Sequence, residues 1–234
     1  MKSSSEQQQI TNWFDQTYRK KGDRYLRDVR AYRFFPSVLR LSETDSLLDV
    51  ACGLGRLLQA AKETGCSISG VDISSVAVEK TKKLFPNDDI RVANAEALPF
   101  ETGSFSAVSC LGSLERMIDL SAVLDELHRV GNANARYCFL VRNSETLIWK
   151  WFKQRLGMRN HAGHQGAKSF HEWNAIFISH GFKIEKVLHD QYPLQRLRKI
   201  LSFGLLQVDP CKVLESRIPI QRTGKFIYVL SKVT

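Results

Sequence analysis

The stretch LLDVACGLGRLLQA, residues 47–60, constrains this chain more than any other. Five apolar residues and one carboxylate run directly into two glycines separated by a single residue, and an apolar helical pattern follows. A run of that length suits a strand buried on both faces, and glycines permit positive φ and a backbone approach that a Cβ would block. The stretch therefore predicts strand, tight turn and helix, with Gly53 and Gly55 as a place where a ligand can lie against bare backbone. A strand-to-helix turn without a ligand would carry the same two glycines, so the pair alone leaves both readings open.

Short apolar runs then alternate with helical periodicity. Strands are expected at 47–51, 67–71, 90–93, 107–111 and 137–141, with helices near 55–63, 75–84 and 121–130. This is the pattern of a parallel sheet covered by helices on both faces. Further on, FHEWNAIFISHG reads as a helix, and FKIEKVLHD and KFIYVLSKV read as two strands. The connection between those strands, 191–224, is too long for a hairpin and is expected to cross the site, compatible with an antiparallel addition to the sheet. Before the sheet, stripes at Ile10, Trp13, Phe14, Thr17 and Tyr18 and, less regularly, at Leu26, Val29, Ala31, Arg33, Phe34 and Val38 predict two helices.

The expected class is α/β: a doubly wound, mostly parallel seven-stranded sheet with an antiparallel last strand, preceded by helices. At 234 residues and 43% hydrophobic, the chain can bury one full core. The division expected is a helical cap over 1–45 and a main unit over 46–234, with lid insertions at about 143–168 and 191–224, all in one structural domain. Cys52, Cys66, Cys110, Cys138 and Cys211 are odd in number and never spaced as CxxC, which points away from a disulfide framework or a metal site and toward a reducing compartment. The polar start lacks an apolar signal core, and no segment approaches the roughly 20 apolar residues of a membrane span. A soluble, cytoplasmic protein is expected. The net charge of +10 favours an anionic partner, or simply marks a solvated basic face.

Two further motifs surround the glycine turn. The second strand ends ISGVDIS, placing Asp72 nineteen residues after Gly53, where neighbouring strand ends open on one crevice and a carboxylate can accept both hydroxyls of a ribose. Capping of a helix near Ser74 is the other role open to it. ANAEALPF sets Asn94 and Ala95 just past the third strand, where an amide and a backbone N–H can read an adenine edge.

In this order and spacing, LLDVACGLGRLL, VDIS, ANAEALPF and FSAVSCLGSLERMID resemble class I S-adenosylmethionine-dependent methyltransferases, specifically the small-molecule group similar to the ubiquinone/menaquinone methyltransferases. The resemblance is strong over 47–140 and weaker through FHEWNAIFISHGFKIEKV and the last strand. It implies a Rossmann-like fold and S-adenosyl-L-methionine as cofactor. It implies that Asp49 orients the loop and approaches the methionine amino group, that Cys52, Gly53 and Gly55 belong to the cofactor loop, and that Asp72 holds the ribose. Ile73 then packs on the adenine and Leu111 stands beside the methionine part. Ala51 replaces the first glycine of the motif and leaves slightly less room. Asn94 stands where the family has aspartate, so its amide oxygen accepts without charge assistance. Dinucleotide oxidoreductases share the glycine turn and the second acidic residue, but their third glycine would fall at Leu58, which disfavours hydride chemistry.

Methyl transfer needs an aligned nucleophile, exclusion of water and, for a hydroxyl or ammonium acceptor, removal of a proton. His161, His164 and His171 follow the fifth strand, where this fold builds its acceptor pocket, and are the candidate bases; solvated or structural roles are equally open to them. Lids are expected from the N-terminal helices, carrying Trp13, Tyr18, Tyr25, Tyr32 and Arg33, and from YPLQRLRKILSFGLL. There Leu194, Leu197, Leu201 and Leu205 share one helical face, suited to an anionic membrane or to burial over the sheet. WKWFKQRLGMRN offers Trp149, Trp151 and Phe152 for base stacking with Lys150, Lys153 and Arg155 for phosphates. Against that, CLGSLERM replaces the NPPY-type turn of enzymes that methylate exocyclic base amines. The expected function is methyl transfer to a small-molecule or lipid-like acceptor, with an anionic acceptor among the classes the charge admits. The alternatives are an RNA methyltransferase and a non-catalytic S-adenosylmethionine-binding partner protein.

Overall fold

A computed structural model describes residues 2–146, 166–190, 192 and 219–233. Helix α1 (Lys2–Lys21) leads through two single 3-10 turns, Gly22–Tyr25 and Val29–Tyr32, into α2 (Phe34–Leu39). The alternation β1 (Ser46–Val50), α3 (Arg56–Lys62), β2 (Ser67–Asp72), α4 (Ser75–Leu84), β3 (Asp89–Val92), β4 (Phe105–Leu111), α5 (Leu120–Val130) and β5 (Gly131–Arg142) follows. Helix α6 (Phe170–Ser179), β6 (Phe182–His189) and β7 (Lys225–Lys232) complete the described chain.

The strands form one seven-stranded sheet in the order β3-β2-β1-β4-β5-β7-β6. All pairings are parallel except those of β7, which runs antiparallel to both β5 and β6. This is a Rossmann-like, doubly wound sheet with an antiparallel last strand, as the alternation of the sequence implies. The order reverses between β1 and β4, and such a reversal opens a crevice at the carboxyl ends of the strands.

Each face of the sheet is buried. On one side Leu48, Val50, Val108, Phe139 and Val141 pack with α5 and α6 through Leu124, Leu127, Trp173 and Phe177. On the other Leu47, Ile68, Ala107, Cys138 and Ile227 meet α2 and α3 through Phe35, Leu39, Leu57 and Leu58. Two-sided burial explains why β1 is a continuous apolar run and not an alternating one. Helix α6 starts at a capping box in which Ser169 and Glu172 satisfy each other's backbone N–H.

Three expectations are revised. Ala51 leaves β1 and lies in the turn with φ +60°, because the chain must bend sharply ahead of the glycines. The second N-terminal helix shrinks to Phe34–Leu39: its apolar residues lack a continuous 3.6 period, and only the part with Pro36 in its first turn forms α-helix. Strand β5 starts at Gly131, six residues earlier than its apolar run, because Gly131 pairs with Phe105 of β4 and Arg136 pairs with Ala107 of β4 and Ser231 of β7 across an irregularity in the register. Most of the two expected insertions lies outside the described residues, as do Trp149, Trp151 and the leucines of 194–205. Among the described residues, no helix is long and apolar enough to cross a membrane.

Candidate active site

The glycine turn is built as the sequence suggests. Gly53 and Gly55 have φ of +55° and +69°, and Ala51 joins them in the left-handed region at +60°. A Cβ on Gly53 would stand 2.7 Å from the Tyr18 hydroxyl, and one on Gly55 2.7 Å from the Thr81 Cγ2. The Thr81 hydroxyl donates to the Gly53 carbonyl at 2.9 Å, tying the turn to α4. Leu58, at the position where a dinucleotide fingerprint has its third glycine, is fully buried. Close approach of helix to sheet comes from the strand side instead: a Cβ on Gly70 of β2 would meet Leu58 Cδ1 at 2.9 Å and Cys52 Sγ at 3.1 Å.

Two carboxyl groups are buried beside this turn. The Asp72 carboxylate accepts the Gly53 N–H at 2.8 Å on one oxygen and the Ser74 N–H at 2.9 Å on the other. Each oxygen keeps a second lone pair, so the group can hold the turn and still take two hydroxyls. The N-cap of α4 is Ser74, whose hydroxyl accepts from the Ala77 N–H, which frees Asp72 from that duty. Burial pushes the Asp72 carboxyl up to about 6, against the opposing effect of those N–H donors. Asp49 is 3% exposed. It accepts the Ser109 hydroxyl at 2.7 Å, and burial, aided by Asp72, raises its carboxyl to about 7.

A cleft opens at the strand ends. Val50, Ala51, Val71, Asp72 and Ile73 form one wall, Ala93, Asn94, Ala95 and Glu96 the next, and Ser113, Arg116, Met117 and Ile118 a third. Gln7, Ile10, Phe14 and Tyr18 of α1 supply the rest, at the three- and four-residue spacing of a single helical face. Helix α1 is anchored there by Asp15, whose carboxylate accepts the Ser74 hydroxyl at 2.5 Å, and by Lys80, which donates to the Tyr18 carbonyl at 2.9 Å. The Tyr18 phenol is held far above its ordinary pKa by burial and by Asp72, so it is a neutral hydroxyl.

Of the residues singled out from sequence, Ala51, Asp72, Ile73, Asn94 and Ala95 meet in the cleft wall. Asp49 in β1 and Cys52, Gly53 and Gly55 in the turn stand behind it, and Leu111 packs half-buried against the core on the α2–α3 side. Asn94 accepts the Glu96 N–H at 3.1 Å and donates to the Glu96 carboxylate at 3.3 Å. His171 is exposed in the first turn of α6 against Phe170, and His161 and His164 lie outside the described residues. Sequence reasoning missed Glu96, Ser113 and Arg116. Their position directly after strands β3 and β4 is the signal that could have found them.

Strand order, glycine turn and buried second-strand carboxylate together define a Rossmann-like, doubly wound fold with a candidate ligand cleft at its strand ends. Residues 48–139 match the family model described as a methyltransferase domain. The chain is similar to the ubiquinone/menaquinone biosynthesis C-methyltransferase UbiE of Geotalea uraniireducens, 35% identical over 122 residues, which cover 48% of this chain and 52% of that protein. The chain thus spans about half the length of the curated relatives it matches. Among solved structures it resembles the putative methyltransferase in complex with the Haloferax volcanii Trm112 activator, with TM-score 0.69, 18% identity, and 94% and 98% of the two chains covered. It also resembles geranyl diphosphate C-methyltransferase from Streptomyces coelicolor, with TM-score 0.66, 15% identity, and coverage of 97% and 98%. At such identities these two likenesses concern the fold.

Proposed function

We propose that the chain transfers a methyl group from S-adenosyl-L-methionine to a small-molecule or lipid-like acceptor. The observation that carries this reading is the convergence of the glycine turn, the buried Asp72 carboxylate and the Asn94–Ala95 wall on one cleft. The donor set fits the cofactor: Asp72 has lone pairs left for two ribose hydroxyls, Ile73, Ala95 and Met117 offer apolar surface for a base, and Asn94 offers an amide for its edge. Asp49 and the loop of Ala51, Cys52, Gly53 and Gly55 would hold the amino-acid end. When bound, the cofactor supplies an electrophilic methyl on a sulfonium with a neutral leaving group.

The chain's own residues then bind, orient and exclude water. Ile10, Phe14 and Tyr18 of α1 cover the cleft, so residues 1–45 act as a cap on the body formed by 46–234. A cationic ligand near Asp49 favours its ionised form and offsets the burial that raises it. His161, His164 and His171 stand as candidate proton acceptors for an acceptor atom that carries a proton. The UbiE-type relatives support a quinone-like or isoprenoid-like acceptor. Such an acceptor accords with peripheral contact at an anionic membrane, and the free buried thiols of Cys52, Cys66, Cys110 and Cys138 accord with a cytoplasmic setting. Calorimetric titration tests the reading: S-adenosylmethionine should bind in the micromolar range and NAD should not. S-adenosylmethionine binding no tighter than millimolar, with tight NAD binding, would overturn it.

A further inference from the structure

The face that α1 lends to the cleft ends at Tyr18, which differs from Ile10 and Phe14 in carrying a polar tip. That tip is what stands nearest the glycine turn: a Cβ on Gly53 would lie 2.7 Å from the phenol oxygen and 3.5 Å from the ring carbon that bears it. The rest of the residue is fixed. Phe14 stacks on the ring at 6.1 Å, Tyr25 meets it edge-on at 5.7 Å, and the Tyr18 carbonyl accepts the Lys80 ammonium at 2.9 Å. Arg116 donates to the Tyr25 hydroxyl at 3.1 Å and so steadies the ring against which Tyr18 leans. Only 4% of Tyr18 is exposed.

A buried phenol ordinarily finds an acceptor for its hydroxyl. Tyr137 and Tyr228 do so in the sheet core, donating to the His128 carbonyl at 3.4 Å and to Asn174 Oδ1 at 2.7 Å. Among the described residues, no hydrogen bond engages the Tyr18 hydroxyl. A donor held rigidly at the wall of a ligand cleft without an acceptor is a cost to the free protein that an acceptor on the ligand removes. Charge decides which acceptor. Burial and Asp72 keep the phenol protonated, so it enters as a neutral donor. The amino-acid end of S-adenosylmethionine carries an amino group and a carboxylate. Asp49 and Asp72, both buried, are acceptors when ionised: they suit the amino group and the ribose, and they repel a carboxylate. A carboxylate laid along the turn requires a donor, and a neutral hydroxyl serves it without burying a further charge.

We propose that the Tyr18 hydroxyl donates a hydrogen bond to the carboxylate of the cofactor, so that α1 supplies a polar contact to the cofactor as well as an apolar cover. The proposal rests on the methyltransferase reading and adds a binding residue to it. The intact chain and Tyr18→Phe are each titrated by calorimetry with S-adenosylhomocysteine and with its decarboxylated analogue, which keeps the adenosine, the sulfur and the amino group. Tyr18→Phe should weaken S-adenosylhomocysteine by about tenfold or more and the analogue by less than about twofold, because the hydroxyl meets only the group that the analogue lacks. Melting without ligand should be unchanged or slightly higher, since phenylalanine keeps the ring and removes a hydroxyl that the chain itself does not engage. Equal losses for the two ligands would put the hydroxyl on another part of the cofactor, and unchanged affinities, with or without a lower melting temperature, would leave Tyr18 a packing residue. Either result overturns the proposal while the methyltransferase reading stands. No binding of S-adenosylhomocysteine by the unaltered chain overturns both.

Discussion

Replacing Asp49 by asparagine should stabilise the ligand-free protein at alkaline pH and leave it no more stable, or less, in acid. Burial raises this carboxyl from 3.8 to about 7 in the folded chain. A folded-state pKa above the unfolded value means that the native protein holds its proton more tightly. Stability is therefore lost as pH rises from about 4 to about 7 and stays lost above that. At about 1.4 kcal/mol per pH unit, the ionised group costs the native state about 4 kcal/mol at pH 8. Asparagine carries no charge but places an NH₂ where one carboxylate oxygen stood, at a cost of about 1–2 kcal/mol for a buried donor without a partner. Its carbonyl still accepts the Ser109 hydroxyl, a bond of 2.7 Å in the parent. The net expectation for Asp49→Asn is a gain of about 2–3 kcal/mol at pH 8 and a loss of about 1–2 kcal/mol near pH 4. Urea denaturation of parent and variant across that range measures the difference directly, and changes common to both cancel. A gap between the two curves that does not change with pH would refute the ionisation assigned to Asp49. The same variant should bind S-adenosylmethionine more weakly, since the charge that costs stability is the one a cationic amino group would meet.

Asp72→Ala should lower cofactor affinity at least tenfold, about 1.4 kcal/mol, and also destabilise the turn because the Gly53 and Ser74 N–H groups lose their acceptor. An unchanged dissociation constant in a folded variant would reject the ribose role. Gly55→Ala combines a φ of +69° with a contact of 2.7 Å to Thr81, so about 2–4 kcal/mol of stability should disappear in urea titration. A milder effect, about 1 kcal/mol, is expected from Ser169→Ala, which removes the reciprocal cap of α6; its melting temperature should fall by a few degrees.

The strands, the glycine turn and Asp72 were legible because each is written locally. Two-sided burial makes an apolar run, a positive φ selects glycine, and a carboxylate at a strand end follows from register. Ala51 shows the limit of that logic, since its left-handed backbone is imposed by the turn and is not readable from alanine itself. The roof of the cleft was partly legible: the stripe of α1 and a lid from the N-terminal helices were expected, but not that Gln7 would join Ile10, Phe14 and Tyr18 in lining the cleft. Glu96, Ser113 and Arg116 were passed over for a related reason: apart from their place after β3 and β4, a polar residue in a loop gives no local sign of the cavity it faces.

By itself the sequence determined the α/β alternation and the place of the turn, both of which depend on neighbours a few residues apart. Tertiary structure alone decided the ionisation of Asp49 and Asp72, which comes from burial, and the meeting of Arg27 with Asp190 across 163 residues of chain. Periodicity encodes which face of an element is buried, whereas the field at a buried charge depends on every group the fold brings around it, and no local pattern records that sum.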